Sequence, residues 1–90
     1  MLTFKTTASY RKDLKRVLKR GLKMERLEEL IETLVEEKPL DQKHLDHELK
    51  GHYAGFRECH IQPDWLLIYD KDEENILLTA IRTGSHSDLF

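Results

Sequence analysis

Residues 60–69 read HIQPDWLLIY, and this stretch decides the fold because it contains a strand end, a tight turn and the next strand. The run WLLIY has five large apolar or aromatic residues in succession, which is the pattern of a buried strand. The preceding QPD is a turn sequence, since proline presets the backbone and aspartate tolerates turn geometry. A β-hairpin needs only turn residues here. The titratable His60 and Asp64 therefore raise the question of what else in the chain reaches this point.

The rest of the fold follows outward from this hairpin. The pattern predicts strands over 56–61, 65–70 and 76–83, and their links are short enough to require an antiparallel meander. Upstream, residues 2–6 alternate like a strand, and apolar residues recur at helical spacing over 7–20 and 24–37, with Gly21 between the two helices. Residues 40–55 show no clear period, and 84–90 form a tail. We expect one α+β domain over 1–90, a helical hairpin packed on a small, mainly antiparallel sheet in the order β-α-α-β-β-β.

Composition restricts the class of protein. The chain has 90 residues, of which 36% are charged, and no apolar run approaches the roughly 20 residues that a membrane helix needs. The single cysteine cannot form an internal disulfide, so we expect a cytoplasmic protein without a membrane segment.

The charge is divided along the chain. Residues 1–23 hold eight Lys or Arg and one Asp, whereas 24–48 hold nine Asp or Glu and three Lys or Arg. This division suggests a basic face on the first helix that could meet phosphate, formed by Arg11, Lys12, Lys15, Arg16, Lys19 and Arg20. The alternative is a pair of ordinary amphipathic helices with solvated charges.

Polar residues converge at one end of the predicted sheet. In an antiparallel meander, the end of the first strand and the end of the third both lie near the start of the second. This topology brings together His60, Asp64, Trp65, Arg82 and His86. Each of these residues taken singly is more often structural, but core packing does not require them to meet at one place.

This set of residues suits phosphoryl chemistry on RNA. Cleavage through the 2′-hydroxyl of the substrate needs a base, an acid for the leaving 5′-oxygen and a cation for the crowded phosphate. Histidine can serve in either proton role near neutral pH, and arginine offers a planar fork that matches phosphate oxygens. Trp65 or Phe90 could stack on an unpaired base.

Five histidines also raise the possibility of a zinc site. His44 and His47 are three residues apart and Cys59 is adjacent to His60, but zinc sites need three or four ligands in a defined geometry. Cys59 should point to the opposite side of the strand from His60. We therefore expect neither a metal site nor a cofactor.

The segments GFRECHIQPDWLLIY and RTGSHSDLF, with H-x-L-x-G upstream of them, resemble the YafQ branch of the RelE/ParE superfamily of bacterial type II toxins. The resemblance spans essentially the whole chain. It implies a ribosome-dependent mRNA endoribonuclease that cleaves mRNA in the ribosomal A site without a metal. The catalytic positions that it implies fall on His47, His60, Asp64, Arg82 and His86, and the substrate-binding positions on Trp65 and Phe90.

The resemblance also implies partners. They are the ribosome, its mRNA and a cognate DinJ-like antitoxin with a DNA-binding part, which joins the toxin in a hetero-oligomer. The basic residues of the first helix would then contact ribosomal RNA or the antitoxin. The alternative is a ParE-like toxin that binds DNA gyrase without nuclease activity. Such a toxin would not need the histidine-rich set.

Overall fold

The computed structural model describes all residues, 1–90, and contains one five-stranded sheet with two long helices on one side. The regular elements, in chain order, are β1 (Thr3–Thr6), α1 (Ala8–Lys19), α2 (Met24–Val35), β2 (His47–Glu48), β3 (Arg57–Gln62), β4 (Trp65–Asp72), β5 (Leu77–Gly84) and α3 (His86–Leu89). Two 3-10 turns, Gln42–His44 and Gly51–Tyr53, flank β2. None of the helices has the length and apolar character needed to cross a bilayer.

The expected α+β architecture is confirmed, and the strand order is β1-β5-β4-β3-β2. Strands β3, β4 and β5 form the antiparallel meander, and β1 adds to β5 in parallel. Two elements had no counterpart in the sequence patterns. One is the two-residue β2, which pairs with β3, and the other is α3, which replaces the predicted irregular tail.

Both ends of α1 are set by neighbouring residues. The Thr7 hydroxyl accepts a hydrogen bond from the amide of Tyr10 at 3.0 Å, which caps the N-terminus of α1. Gly21 follows α1 with a φ of 82°, a left-handed conformation that glycine adopts without steric cost. The helical hairpin is therefore specified by the residues at its turn.

The sheet has two different faces. The helix face of the sheet is covered by α1 and α2 and holds the main core, including Val17, Leu27, Trp65, Leu67 and Tyr69. The open face carries a smaller apolar cluster in which Leu66, Ile68 and Leu89 are buried. Strand β4 is buried on both faces, and this is why its sequence is a continuous apolar run rather than an alternating one.

Candidate functional site

Alternation along β3 places two titratable side chains on the open face. Cys59 and Ile61 pack into the main core, so Glu58 and His60 point to the opposite side. Cys59 is fully buried, and desolvation raises the pKa of its thiol well above the ordinary value. This thiol is therefore a packing group on the far side of the strand from His60.

Glu58 joins two of the expected histidines. Its Oε1 lies 3.5 Å from Nε2 of His60 and 3.7 Å from Nε2 of His47. The carboxylate is 4% exposed, and its Oε2 has no hydrogen-bond partner. A buried carboxylate needs positive charge or hydrogen-bond donors nearby, and the two imidazoles are the groups placed to supply them.

The sequence reasoning missed Glu58. The signal was present, because Glu58 is two residues from His60 on a strand and must share its face.

His86 is fixed against Asp64 rather than carried on a loose tail. Its backbone amide donates to Oδ1 of Asp64 at 3.1 Å, and its Nδ1 lies 2.9 Å from the same oxygen. These hydrogen bonds hold the pKa of the Asp64 carboxyl below its usual value. The His86 ring centroid is 5.6 Å from that of His60. With Nδ1–H donating to Asp64, Nε2 of His86 is the nitrogen left for a substrate.

The structure therefore brings four of the expected residues together around Glu58. We call His47, Glu58, His60, Asp64 and His86 the histidine cluster. The two other members of the expected convergence at the sheet end, Trp65 and Arg82, have different surroundings.

Arg82 is bound by a carboxylate from α1. Its Nε and Nη2 donate to the two oxygens of Asp13 at 2.5 and 3.0 Å, and its Nη1 donates to the Tyr53 hydroxyl at 3.3 Å. The hydrogen bond to Asp13 raises the pKa of the guanidinium. Asp13 is 3% exposed and also accepts from the Thr83 amide. Arg82 forms no hydrogen bond with a histidine, and its role at the phosphate stays a prediction.

Trp65 corrects the expectation of a base-stacking platform. It is 1% exposed, and its Nε1 donates to the Thr83 hydroxyl at 3.0 Å within the core. Its ring lies on the helix face with the side chains of the alternate residues Leu67 and Tyr69. Phe90, in contrast, is 64% exposed and packs edge-to-face on Tyr53, with ring centroids 5.7 Å apart. Of the two aromatic residues expected to bind substrate, Phe90 is thus the one accessible to a ligand.

The six basic residues of the first helix divide into two groups. The three arginines have partners within the chain: Arg11 donates to Thr6, Arg16 pairs with Asp13 and Arg20 pairs with Asp88. The three lysines are exposed and form no ion pair: Lys12, Lys15 and Lys19. The free positive charge on this face is therefore smaller than the sequence suggests.

The two unassigned histidines have structural surroundings. His44 binds the carbonyl oxygen of His60 through Nδ1 at 2.6 Å, which ties the first 3-10 turn to the end of β3. His52 packs edge-to-face on Tyr53 at a centroid distance of 4.9 Å. Neither belongs to the histidine cluster, although His44 contacts the backbone of its member His60.

Part of the histidine cluster also has the composition of a metal site. One ligand atom each from Glu58, His60 and His86 lies within 4.8 Å of the others. Two imidazoles and a carboxylate form a common ligand set for zinc and copper. The sequence argument against a metal considered His44, His47, Cys59 and His60, and of these only His60 belongs to this trio.

The family profile, a sequence relative and a solved structure that match this chain are all toxins. The profile described as a bacterial toxin of type II toxin–antitoxin systems, YafQ, matches residues 2–90. The mRNA interferase toxin YafQ of Escherichia coli K12 is 39% identical over 85 residues, which cover 93% of this chain and 90% of that protein. Among solved structures, a metal-bound toxin from Helicobacter pylori is 43% identical, with a TM-score of 0.93 and full coverage of both chains.

A second structural match includes a partner. In the DinJ–YafQ complex of E. coli, the matched chain is 34% identical, with a TM-score of 0.90 and coverage of 100% of this chain and 99% of that one.

Proposed function

Because the chain belongs to the YafQ family of bacterial type II toxins, we propose that it is an mRNA interferase whose histidine cluster cleaves mRNA in the ribosomal A site. The observation that carries this proposal is the placement of His86. Its Nδ1 is held by Asp64, and its ring lies 5.6 Å from that of His60, which shares Glu58 with His47. Two histidine sites with different carboxylate partners can divide the roles of acid and base.

The proposed reaction uses the 2′-hydroxyl of the substrate as the nucleophile. His47 and His60, both next to Glu58, supply the base that removes the 2′-proton as the new bond to phosphorus forms. The bond from phosphorus to the 5′-oxygen breaks, and His86 gives its Nε2 proton to that oxygen. The products carry a 2′,3′-cyclic phosphate and a 5′-hydroxyl. Phe90, exposed beside Tyr53, stacks on a base of the codon.

The test is to incubate the purified protein with translating ribosomes, map the new mRNA ends and identify their chemistry. We expect cleavage within codons at the A site, a 5′-hydroxyl on the downstream product and no cleavage of the same mRNA without ribosomes. A protein that leaves mRNA intact but inhibits DNA supercoiling by gyrase would be the ParE-like toxin instead.

The proposed partner is an antitoxin like the DinJ that accompanies YafQ in the solved complex. The proposed location is the cytoplasm, where the ribosomes are. The exposed Lys12, Lys15 and Lys19 offer positive charge to an acidic antitoxin segment or to ribosomal RNA.

We expect the triple variant Lys12→Glu, Lys15→Glu and Lys19→Glu to weaken antitoxin binding and ribosome docking together. The reason is that it reverses three charges that the fold does not use in ion pairs. Titration calorimetry with the antitoxin and ribosome co-sedimentation, each at two salt concentrations, measure the effect. A matched variant with Lys5, Lys43 and Lys50, which are exposed and lie outside α1, changed to glutamate controls for net charge. Unchanged binding of both partners would make the basic face only a solvated surface.

Arg82 provides a second prediction. We propose that its guanidinium supports the reaction from its fixed position on Asp13, so geometry matters as well as charge. Lysine lacks the planar fork with which Nε and Nη2 of Arg82 bind the two Asp13 oxygens side by side. Arg82→Lys should therefore lower the cleavage rate by about tenfold, the effect of roughly 1.4 kcal/mol. Equal cleavage by the two proteins would indicate a generic charge role.

The third prediction concerns metals. We propose a reaction that needs no metal, because base and acid come from the cluster itself. A transition-metal ion held by Glu58, His60 and His86 would occupy the groups that exchange protons. Added Zn²⁺ should slow cleavage, a zinc chelator should leave it unchanged, and Glu58→Gln should bind Zn²⁺ more weakly by calorimetry. Loss of cleavage with the chelator and its recovery with Zn²⁺ would show that the metal takes part.

A further inference from the structure

The short helix α3, which carries His86, cannot maintain its own conformation. It has four residues, and an isolated helix of a single turn is unstable in water because nucleation costs more than one hydrogen bond returns. The contacts that surround α3 must therefore hold it. They include the burial of Leu89, which is 7% exposed, and a capping box between Ser85 and Asp88.

Asp88 has a second partner outside α3. Its Oδ2 accepts from the Ser85 amide at 2.9 Å and from Nη1 of Arg20 at 2.5 Å, and its Oδ1 accepts from Nη2 of Arg20 at 2.9 Å. Arg20 is the C-terminal cap residue of α1 and lies 68 positions earlier in the chain. This two-point contact therefore attaches the catalytic segment to a long helix that is packed on the sheet.

The backbone makes room for this contact. Gly84 has a φ of 156°, and a Cβ built at this position would lie 2.8 Å from Oδ2 of Asp88. Any larger residue would push the carboxylate away from both Ser85 and Arg20. The position of Asp88 is thus defined by the backbone before it as well as by its two partners.

We propose that Arg20 and Asp88 are positioning residues for His86. Their ion pair holds α3 against α1 and keeps the His86 ring facing Asp64 and His60. The proposal rests on the proposed function only for the role of His86. An exposed ion pair contributes little to global stability, but a small displacement of a reacting group lowers a rate strongly.

The experiment is a double-mutant cycle with Arg20→Gln, Asp88→Asn and their combination, measured in the cleavage reaction on ribosomes. Asparagine keeps an oxygen for the Ser85 amide, so the cap survives while the charge is lost. Each single variant should lower kcat by about tenfold and change KM by less than about twofold. The double variant should be no slower than the singles, because either change already breaks the contact.

Two further measurements separate positioning from other roles. Lys23→Gln removes one positive charge close to Arg20 from a side chain without an ion pair, and its kcat should equal that of the wild type. Hydrogen exchange of the His86 amide, which is bound to Asp64, should accelerate in both single variants even in the absence of ribosomes. Arg20→Lys should restore part of the protection.

The proposal is overturned if the His86 amide exchanges at the wild-type rate in both variants, or if the two losses in kcat add. A rise in KM for Arg20→Gln alone would instead make Arg20 a ribosome contact. If the wild-type protein cleaves no mRNA, the proposed function fails, while the exchange measurement still reports on the contact.

Discussion

Replacing His86 by alanine is expected to lower the rate of mRNA cleavage by about 10²–10⁴, the usual cost of losing a positioned acid or base. His86 is exposed and makes one side-chain hydrogen bond, to Asp64, so the fold should tolerate the change. Its backbone amide still binds Asp64 in the variant, and this keeps the start of α3 in place. Single-turnover cleavage on translating ribosomes measures the rate, and circular dichroism checks the fold.

The matched control for this variant is Ser87→Ala. Ser87 is the next residue of α3, is exposed and makes no side-chain hydrogen bond. Its replacement should leave the cleavage rate within about twofold of the wild type. His86→Ala that cleaves as fast as Ser87→Ala would remove His86 from the mechanism and leave the proton roles to His47 and His60.

Replacing Trp65 by alanine should destabilise the fold by about 3–5 kcal/mol, as truncation of a large buried aromatic residue does. Trp65 is 1% exposed and packs in the main core. Truncation leaves a cavity and removes the hydrogen bond that the Trp65 indole donates to the Thr83 hydroxyl. The Thr83 hydroxyl still donates its own hydrogen bond to the Leu66 carbonyl at 2.7 Å. Urea unfolding followed by circular dichroism measures the free energy of unfolding, and Trp65→Phe should lose less of it.

Phe90→Ala is the counterpart for a ring that faces solvent. Phe90 is 64% exposed, so its truncation should change the free energy of unfolding by less than about 1 kcal/mol. The same variant should raise KM on ribosomes if the ring stacks on a base. If Trp65→Ala has the unfolding free energy of the wild type but does not cleave mRNA, Trp65 would contact the substrate rather than stabilise the core.

Most of the fold could be predicted because its signals are local. The buried run of β4, the QPD turn and the apolar stripes of α1 and α2 each lie within a few residues of the feature they specify. The short strand β2 could not be predicted, since two residues carry no periodicity and its pairing depends on β3. The helix α3 has a local signal in its Ser85–Asp88 capping box, but its contact with Arg20 joins residues 68 positions apart.

The part of the site that strand order determines could be predicted from the sequence. His60, Asp64 and His86 meet because the meander brings strand ends together. The hydrogen bonds of Arg82 to Asp13 and Tyr53 could not be predicted, because both partners lie far from it in the chain. The pairing shifts between Ile68 and Tyr69, so Tyr69 faces Ala80 while Ile68 faces Arg82. The shift places Arg82 opposite Ile68 of the open face while its guanidinium binds Asp13 of α1, and no short sequence pattern signals such a bulge.

The parallel pairing of β1 with β5 has a consequence for synthesis of the protein. Thr3 lies opposite Leu77, so the first strand stays without its neighbour until the last strand has been made. Strand β5 occupies an interior position of the sheet, and His86 follows it. A nascent chain emerging from a ribosome therefore holds neither a closed sheet nor an assembled cluster. The histidine cluster can therefore assemble only after β5 and His86 have emerged, and the order of the strands delays the activity of the toxin until then.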